Sequence, residues 1–235
     1  MGGADILGYS ALLILLSLGI LVDLVCYSWV FARPHLSAAR RRRLHDTLMK
    51  AFSRDPMLRS WYGAAGDAVF EKCVSTQFNA LLDYAPEANL ITVDNDLGVL
   101  IFDVNYLYFC RALRLMMPLF FRGQLNPFTV LWKAWVLGRF QLKVDWVKWK
   151  KGCPSETVIE AIAIHPDAQG HGAGTRLLEA YFKRKGDTAR ALVSSNPRNL
   201  TFYQRNGYEI LDTLLCDGDR FTWMYSQFPE GSKQH

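Results

Sequence analysis

The 235-residue sequence lacks the patterns that hold a disulfide framework or a metal site. It has an odd number of cysteines, five, which are widely spaced, and no CxxC pair occurs. Its five histidines form no HExxH-type cluster. These absences argue against a zinc site and a disulfide scaffold, and they favour reduced thiols. We therefore expect no metal cofactor.

A strong bias toward charge of one sign is also missing. The formal net charge is +5, and half of the residues are apolar, which predicts a packed core. The basic residues are interleaved with leucines, and no nucleic-acid recognition motif occurs, so we expect no nucleic-acid partner.

The N-terminus carries a long apolar run in which Asp23 is the only charge between positions 6 and 31. A bilayer core about 30 Å thick needs about 20 apolar helical residues. The basic cluster Arg40–Arg43 follows, and the positive-inside rule would place it in the cytosol. A cleaved signal peptide would need a basic start and a cleavage site, and neither is evident. The pattern predicts a transmembrane signal-anchor helix over residues 1–33, in a single-pass membrane protein whose remaining chain faces the cytosol.

Residues 104–150 alternate leucines and aromatics with lysines and arginines, and Asp145 is the only acidic residue among them. Pro118 and the letters "GQLNP" divide the segment into two or three predicted helices. A basic amphipathic helix can lie on an anionic membrane surface. A helical lid with solvated lysines explains the same sequence pattern, and both interpretations stay open.

The remaining chain alternates helical and extended patterns. Two helices are predicted before Pro86, and then a hairpin built from "NLITVD" and "GVLIFDV". A buried strand "TVIEAIAIH", a glycine loop, a helix, the strand "ARALVSS", a short helix and a final hairpin follow. This order predicts an α/β fold with a mixed sheet.

The glycine loop "HPDAQGHGAGTRLLEAY" follows a strand and opens a helix. The unpaired N–H groups and the dipole of a helix N-terminus favour an anion, and glycines allow its close approach. The loop sequence matches neither the P-loop pattern GxxxxGK[ST] nor the dinucleotide-binding pattern GxGxxG. What remains is QxxGxG, from Gln169 to Gly174.

Two stretches carry a family resemblance. "IEAIAIHPDAQGHGAGTRLLEAY" resembles motif A of the GNAT superfamily of acyl-CoA N-acyltransferases, and "LVSSNPRNLTFYQRNGYEIL" resembles motif B. The resemblance implies the GNAT fold, with a mixed, mostly antiparallel sheet that is splayed at its central parallel strands and flanked by helices. It implies a GNAT domain over 34–235, with a motif core over 156–225 and a helical insert over 104–150.

The resemblance also implies acetyl-CoA as cosubstrate. Its pyrophosphate would lie on the motif A loop, at Gln169, Gly170, His171, Gly172, Ala173, Gly174 and Thr175. Its pantetheine arm would contact the backbone of Ile162, Ala163 and Ile164, and the side chain of Asn199. His171 is equally interpretable as a solvated loop residue.

Two residues are implied for the chemistry. Tyr203 matches the family tyrosine that protonates the departing thiolate, and Glu160 matches a glutamate that takes the amine proton directly or through water. Structural alternatives stay open: Tyr203 could be a packing aromatic, and Glu160 could serve in a salt bridge.

The implied reaction is direct acetyl transfer, in a ternary complex, to a primary amine of a small or lipophilic acceptor. The alternatives are a protein acetyltransferase acting on lysines or N-termini, and a non-catalytic, membrane-tethered acyl-CoA-binding module. The expected partners are an acyl-CoA donor, an amine acceptor, and a membrane contacted by the N-terminal helix and the basic helices of 104–150.

Overall fold

The computed structural model of the protein describes ten positions between Gly123 and Lys150 in addition to five longer ranges. Those ranges are 36–63, 66–104, 156–186, 188–216 and 219–226. The predicted anchor over 1–33 lies outside the described residues. Within the described part of the chain, no helix is long and apolar enough to cross a membrane.

Three helices open the described chain: Ala38–Phe52 (α1), Pro56–Tyr62 (α2) and Asp67–Tyr84 (α3). The Ser37 hydroxyl caps α1 by accepting from the Arg40 amide at 3.3 Å. Asp55 caps α2 in the same way, and Pro56 occupies its first turn. The sequence pattern predicts a helix end near Pro56, but this proline begins a separate short helix because the preceding aspartate can cap it.

Six strands of the described chain form one sheet. They are Leu90–Val93 (β1), Gly98–Phe102 (β2), Glu156–Ile164 (β3), Ala189–Ser194 (β4), Glu209–Cys216 (β5) and Asp219–Ser226 (β6). Their order in the sheet is β1-β2-β3-β4-β6-β5, and every pair is antiparallel except β3 with β4. The expected α/β arrangement with a mixed, mostly antiparallel sheet is therefore confirmed.

Two further helices belong to the motif core. Ala173–Lys185 (α4) connects β3 to β4, as parallel neighbours require, and Leu200–Arg205 (α5) follows β4. Alternation along the strands directs side chains to opposite faces of the sheet. Val99 and Ile101 pack with α1–α3, whereas Leu100 and Phe102 pack with α4 and α5. Each large apolar side chain buried in these layers contributes about 1.5–3 kcal/mol.

The arginine cluster at the start of α1 is tied into the fold. Three of its members form ion pairs at N–O distances of 2.5 to 3.0 Å: Arg40 with Glu87, Arg41 with Asp83, and Arg43 with Asp96. The Asp96 side chain is only 8% exposed, so its carboxylate depends on these partners. Arg42 is exposed. The cluster therefore has a structural role, which the interpretation as a membrane-topology signal did not foresee.

Candidate active site

The parallel ladder between β3 and β4 is short. It runs from the pair Glu156–Ala189 to the pair Ile159–Leu192 and ends there. Both strands continue, β3 to Ile164 and β4 to Ser194. The last five residues of β3 consequently have no ladder partner on the β4 side, as the expected splay requires.

Hydrogen-bond alternation shows which backbone groups of β3 face this opening. The His165 amide donates to the Leu97 carbonyl at 2.7 Å, which fixes the phase of the β2–β3 ladder. Alternate residues of an antiparallel strand direct their N–H and C=O groups to opposite sides. The groups of Ala163 therefore turn toward β2, and those of Ile162 and Ile164 turn toward the opening. Of the three backbone contacts expected for pantetheine, the register favours Ile162 and Ile164 and disfavours Ala163.

A bulge at Glu160 sets this phase. Phe102 pairs with Ile159, and Ile101 pairs with Ala161, so Glu160 is the extra residue of β3. The bulge reverses the alternation: Ile159 and Ile162, three positions apart, both pack on the α4 side of the sheet. The bulged residue thus lies where the parallel ladder ends.

The carboxyl of Glu160 has an unusual environment. Its side chain is solvent-accessible, yet its pKa is raised to about 7, first by desolvation and second by the charge of Asp103. Protein atoms around the carboxyl therefore displace part of its hydration, although water still reaches the side chain. Asp103 itself accepts hydrogen bonds from the Val158 amide and from Lys185 Nζ, each at 2.8 Å.

The glycine loop opens α4 as the sequence predicts. Gly170 and Gly172 have φ values of +79° and +75°, a conformation that favours glycine. The loop is exposed from Gln169 to Gly172, and the Gln169 side-chain amide donates to the Ile164 carbonyl at 3.1 Å. The N-terminal amides of α4 and the free end of β3 therefore lie at one end of the opening, where an anion would be stabilised.

Arg176 braces the loop from within α4. It donates to the His171 carbonyl at 2.7 Å and forms a 2.5 Å ion pair with Asp94 in the β1–β2 turn. The His171 side chain is exposed. Arg176 therefore supplies a loop contact that the sequence analysis missed.

The third glycine of the motif has a different task from the first two. A Cβ atom at Gly174 would come within 3.0 Å of Cζ of Phe202 on α5. Gly174 therefore allows α4 and α5 to approach closely, and its neighbour Ala173 is buried. Thr175 is exposed in the first turn of α4.

Tyr203 lies in α5 with its ring packed against Phe202 and Tyr208, at centroid distances of 5.2 and 6.1 Å. It is 9% exposed, and its pKa is raised to about 12, first by desolvation and second by the charge of Asp55. Asn199, four residues earlier, is exposed in the preceding 3₁₀ turn. The two residues therefore differ in burial, although their spacing predicts a shared face.

Asp55 is a site neighbour that sequence reasoning missed. Its Oδ2 accepts from the Ser195 hydroxyl at 3.1 Å, directly after β4, and its Oδ1 caps α2 through the Leu58 amide at 3.0 Å. The Asp-Pro pair signals a helix cap, but nothing in the letters places it beside residues 140 positions away. Asp55 adds a negative charge close to Tyr203.

Among the residues described here, no group of His, Cys, Asp and Glu could hold a metal ion. The residues predicted for the site are instead backbone groups, the bulged Glu160 and the buried Tyr203.

The chain is similar to known acetyltransferases in part of its sequence and in its fold. A family model described as an acetyltransferase (GNAT) domain matches residues 134–210. A structure from Corynebacterium glutamicum, described as histone acetyltransferase HPA2 and related acetyltransferase, is 18% identical with a TM-score of 0.53, and the match covers 83% of this chain and 94% of that one. The PaiA N-acetyltransferase of Thermoplasma acidophilum, in complex with coenzyme A, is 11% identical with a TM-score of 0.45, over 83% of this chain and 97% of that one. No curated protein sequence matches.

The first of these structures shows the fold, and the family model matches about a third of the chain. The family model supports an acyltransferase with acetyl-CoA as cosubstrate.

Proposed function

We propose, from the premise that the chain carries a GNAT acetyltransferase domain, that this protein transfers the acetyl group of acetyl-CoA to a primary amine of a small or lipophilic acceptor. Transfer occurs by direct attack in a ternary complex. The observation that carries the proposal is the end of the β3–β4 ladder at Ile159–Leu192, next to the loop that opens α4.

The donor would bind along this opening. The backbone of Gln169–Thr175 would hold the pyrophosphate, because the α4 N-terminus offers unpaired amides and a favourable dipole. Ile162 and Ile164 would bind the pantetheine arm through their backbone groups, as a neighbouring strand would. Asn199 is exposed at the start of α5 and could reach the same arm.

The chemistry requires two proton transfers. The amine nitrogen attacks the thioester carbonyl carbon, a C–N bond forms, and the C–S bond breaks. Glu160 accepts the proton lost by the amine, directly or through water, and Tyr203 donates a proton to the thiolate. A base with a pKa of about 7 is suited to neutral pH. The Tyr203 phenol, whose pKa is raised to about 12, is protonated at neutral pH and can therefore donate to the sulfur as the C–S bond breaks. Proton exchange with solvent then restores both groups.

The acceptor and the cellular location follow from the first part of the sequence. An anchor over 1–33 would hold the catalytic domain on the cytosolic side of a membrane. Tethering raises the effective concentration of the enzyme toward membrane-associated amines. We therefore favour a lipophilic acceptor over a freely soluble one.

The proposal is tested by thiol release from acetyl-CoA with a panel of short-chain, long-chain and peptide amines, using the full chain in lipid vesicles. Release with long-chain amines above all others supports a lipophilic acceptor. Release only with peptides would identify a protein acetyltransferase, and no release with any amine would indicate a binding module.

Tyr203→Phe and Tyr208→Phe form a matched pair for the acid. Both residues are buried tyrosines in one cluster, and each substitution removes only a hydroxyl. We expect Tyr203→Phe to lower kcat by about 10²-fold or more, and Tyr208→Phe to leave kcat nearly unchanged. Equal rates for the two variants would remove Tyr203 as the acid.

A further inference from the structure

The segment from Phe128 to Lys150 exposes large apolar side chains to an extent found nowhere else in the described chain. Five of its members are more than half exposed: Phe128 (74%), Trp132 (54%), Leu142 (70%), Trp146 (61%) and Trp149 (72%). The other exposed large apolar side chains of the described residues lie singly on β4 and β5, at Val193, Ile210 and Leu215. Single exposed residues are ordinary, but a concentration of this kind marks an interaction surface.

The spacing of these positions is that of one face of a helix. Eight positions between 128 and 150 are described as helical, and all eight are exposed. At the helical spacing of about 100° per residue, these eight positions fall within an arc of about 120°. The Trp146 and Trp149 rings adjoin each other, with centroids 5.1 Å apart. The spacing therefore predicts that the exposed apolar residues share one face.

The other three exposed positions of the same arc are all cationic: Arg139, Lys143 and Lys150. Lys143 also forms a 2.8 Å ion pair with Asp212, which connects the segment to the edge strand β5. The eight residues together are named the aromatic-basic face. It contains tryptophan, phenylalanine, leucine and cations, and no acidic residue.

We propose that the aromatic-basic face docks on the surface of an anionic phospholipid bilayer. Aromatic rings are stable at the level of the lipid headgroups, and lysine and arginine side chains reach from there to phosphate and carboxylate groups. Each cation near such a surface contributes about 1 kcal/mol, which is about fivefold in a docking equilibrium.

Charge separates this occupant from the alternatives. A second copy docking by the same face would bring like charges together, which is unfavourable. The apolar segment 6–31 could cover the rings, but it brings a single carboxylate, Asp23, whereas a bilayer with anionic lipids brings many anionic groups. An anionic bilayer fits both the exposed rings and the positive charge beside them. The surface does not depend on the acyl-transfer chemistry, so its test is separate.

The test is quenching of tryptophan emission by lipids brominated on their acyl chains, with the full chain in vesicles with and without phosphatidylserine. The Trp146→Phe, Trp149→Phe double variant keeps two aromatic rings but removes two reporters. We expect it to lose a large part of the quenched emission in phosphatidylserine vesicles. The matched control is Trp61→Phe in α2, which packs against the helical core and should leave the quenched emission unchanged.

The contribution of positive charge to docking is tested separately. Lys150→Gln should shift half-maximal quenching to a higher phosphatidylserine content, by about fivefold in the docking equilibrium. High salt should act in the same direction. Three results would overturn the proposal. The first is quenched emission that is the same in the wild type and the double tryptophan variant. The others are burial of these tryptophans from solvent without lipid, either when segment 6–31 is present and not when it is removed, or increasingly as protein concentration rises.

Discussion

The motif core, from β3 to β6, and the segment from Phe128 to Lys150 differ in the burial of their large apolar side chains. In the core, Tyr181, Leu177 and Phe221 are buried in contact with the sheet. In the segment, the described tryptophans are exposed. The core uses its apolar groups to fix the geometry of backbone atoms, whereas the segment leaves its described apolar groups exposed.

The two basic clusters of the chain differ in the same sense. The α1 arginines meet carboxylates of their own fold, as in the pair of Arg43 with the buried Asp96. On the aromatic-basic face, Lys143 pairs with Asp212 of the edge strand β5, and Arg139 and Lys150 are exposed beside the tryptophans. The two clusters therefore differ in their surroundings: the α1 arginines lie beside the helical core, and the cations of the face lie among exposed aromatic rings. Substitutions in the core should change chemistry or stability, and substitutions in the segment should change location.

The largest effect is expected for Glu160→Gln. If Glu160 is the base, kcat/KM of the wild type rises with pH through about 7, because the carboxyl must be ionised to accept a proton. The variant should be slower by about 10²-fold at pH 8 and lose this limb of the profile. Glu209→Gln, at an exposed strand glutamate, is the control and should keep the limb.

Asp103→Asn refines this test. The charge of Asp103 raises the pKa of Glu160, so its removal should move the limb to lower pH. An unchanged limb in Glu160→Gln would show that another group is the base.

A smaller effect is expected for Gly170→Ala. Both Gly170 and Gly186 have positive φ, and a Cβ atom at either would meet nothing within 4 Å. Alanine at either position should cost about 1–2 kcal/mol of backbone strain. Only Gly170→Ala alters the loop at the α4 N-terminus, so we expect KM for acetyl-CoA to rise about tenfold there and to stay constant in Gly186→Ala. Equal KM values for acetyl-CoA in Gly170→Ala and Gly186→Ala would show that the loop does not bind the donor.

A still smaller effect distinguishes two arginines of α1. Arg43→Ala removes an ion pair to the buried Asp96 and should lower the free energy of unfolding by about 1 kcal/mol. Arg42→Ala, at an exposed position, should change it very little. Urea unfolding measures both. A cluster that serves only membrane topology would give two equal values.

The smallest effect is expected in the segment. The Trp146→Phe, Trp149→Phe variant should turn over a soluble amine, without lipid, at the wild-type rate. Steady-state thiol release measures this, with Tyr203→Phe as the slow reference. A large loss of rate without lipid would place these tryptophans in the catalytic machinery and contradict the contrast between the two regions.

Local patterns were sufficient to predict the elements that carry the site. The hairpin of β1 and β2, the buried strand β3 and the loop before α4 follow from alternation, turn residues and glycine spacing. The confirmed mixed sheet follows from their order. The anchor over 1–33 and most of the insert over 104–150 lie outside the described residues, so these remain predictions, as do the domain limits and the role of each site residue.

Non-local contacts could not be predicted from the same letters. The contact of Asp55 with Ser195 joins residues 140 positions apart. The bulge at Glu160 depends on how β2 pairs with β3, and it decides that Ile162 and Ile164, not Ala163, face the opening. Gly174 occupies a position of the phosphate-binding glycine motif, but its close approach to Phe202 is a packing constraint between two helices.

The central claim is that acetyl-CoA lies along the free side of β3 and on the loop that opens α4. Residue-resolved amide hydrogen exchange with saturating acetyl-CoA tests it most directly. We predict slower exchange at Ile162 and Ile164 and in the loop from Gly170 to Gly174, with no change at Ala163, whose amide already pairs with β2. Binding of acetyl-CoA without protection at Ile162, Ile164 and the loop would contradict the account.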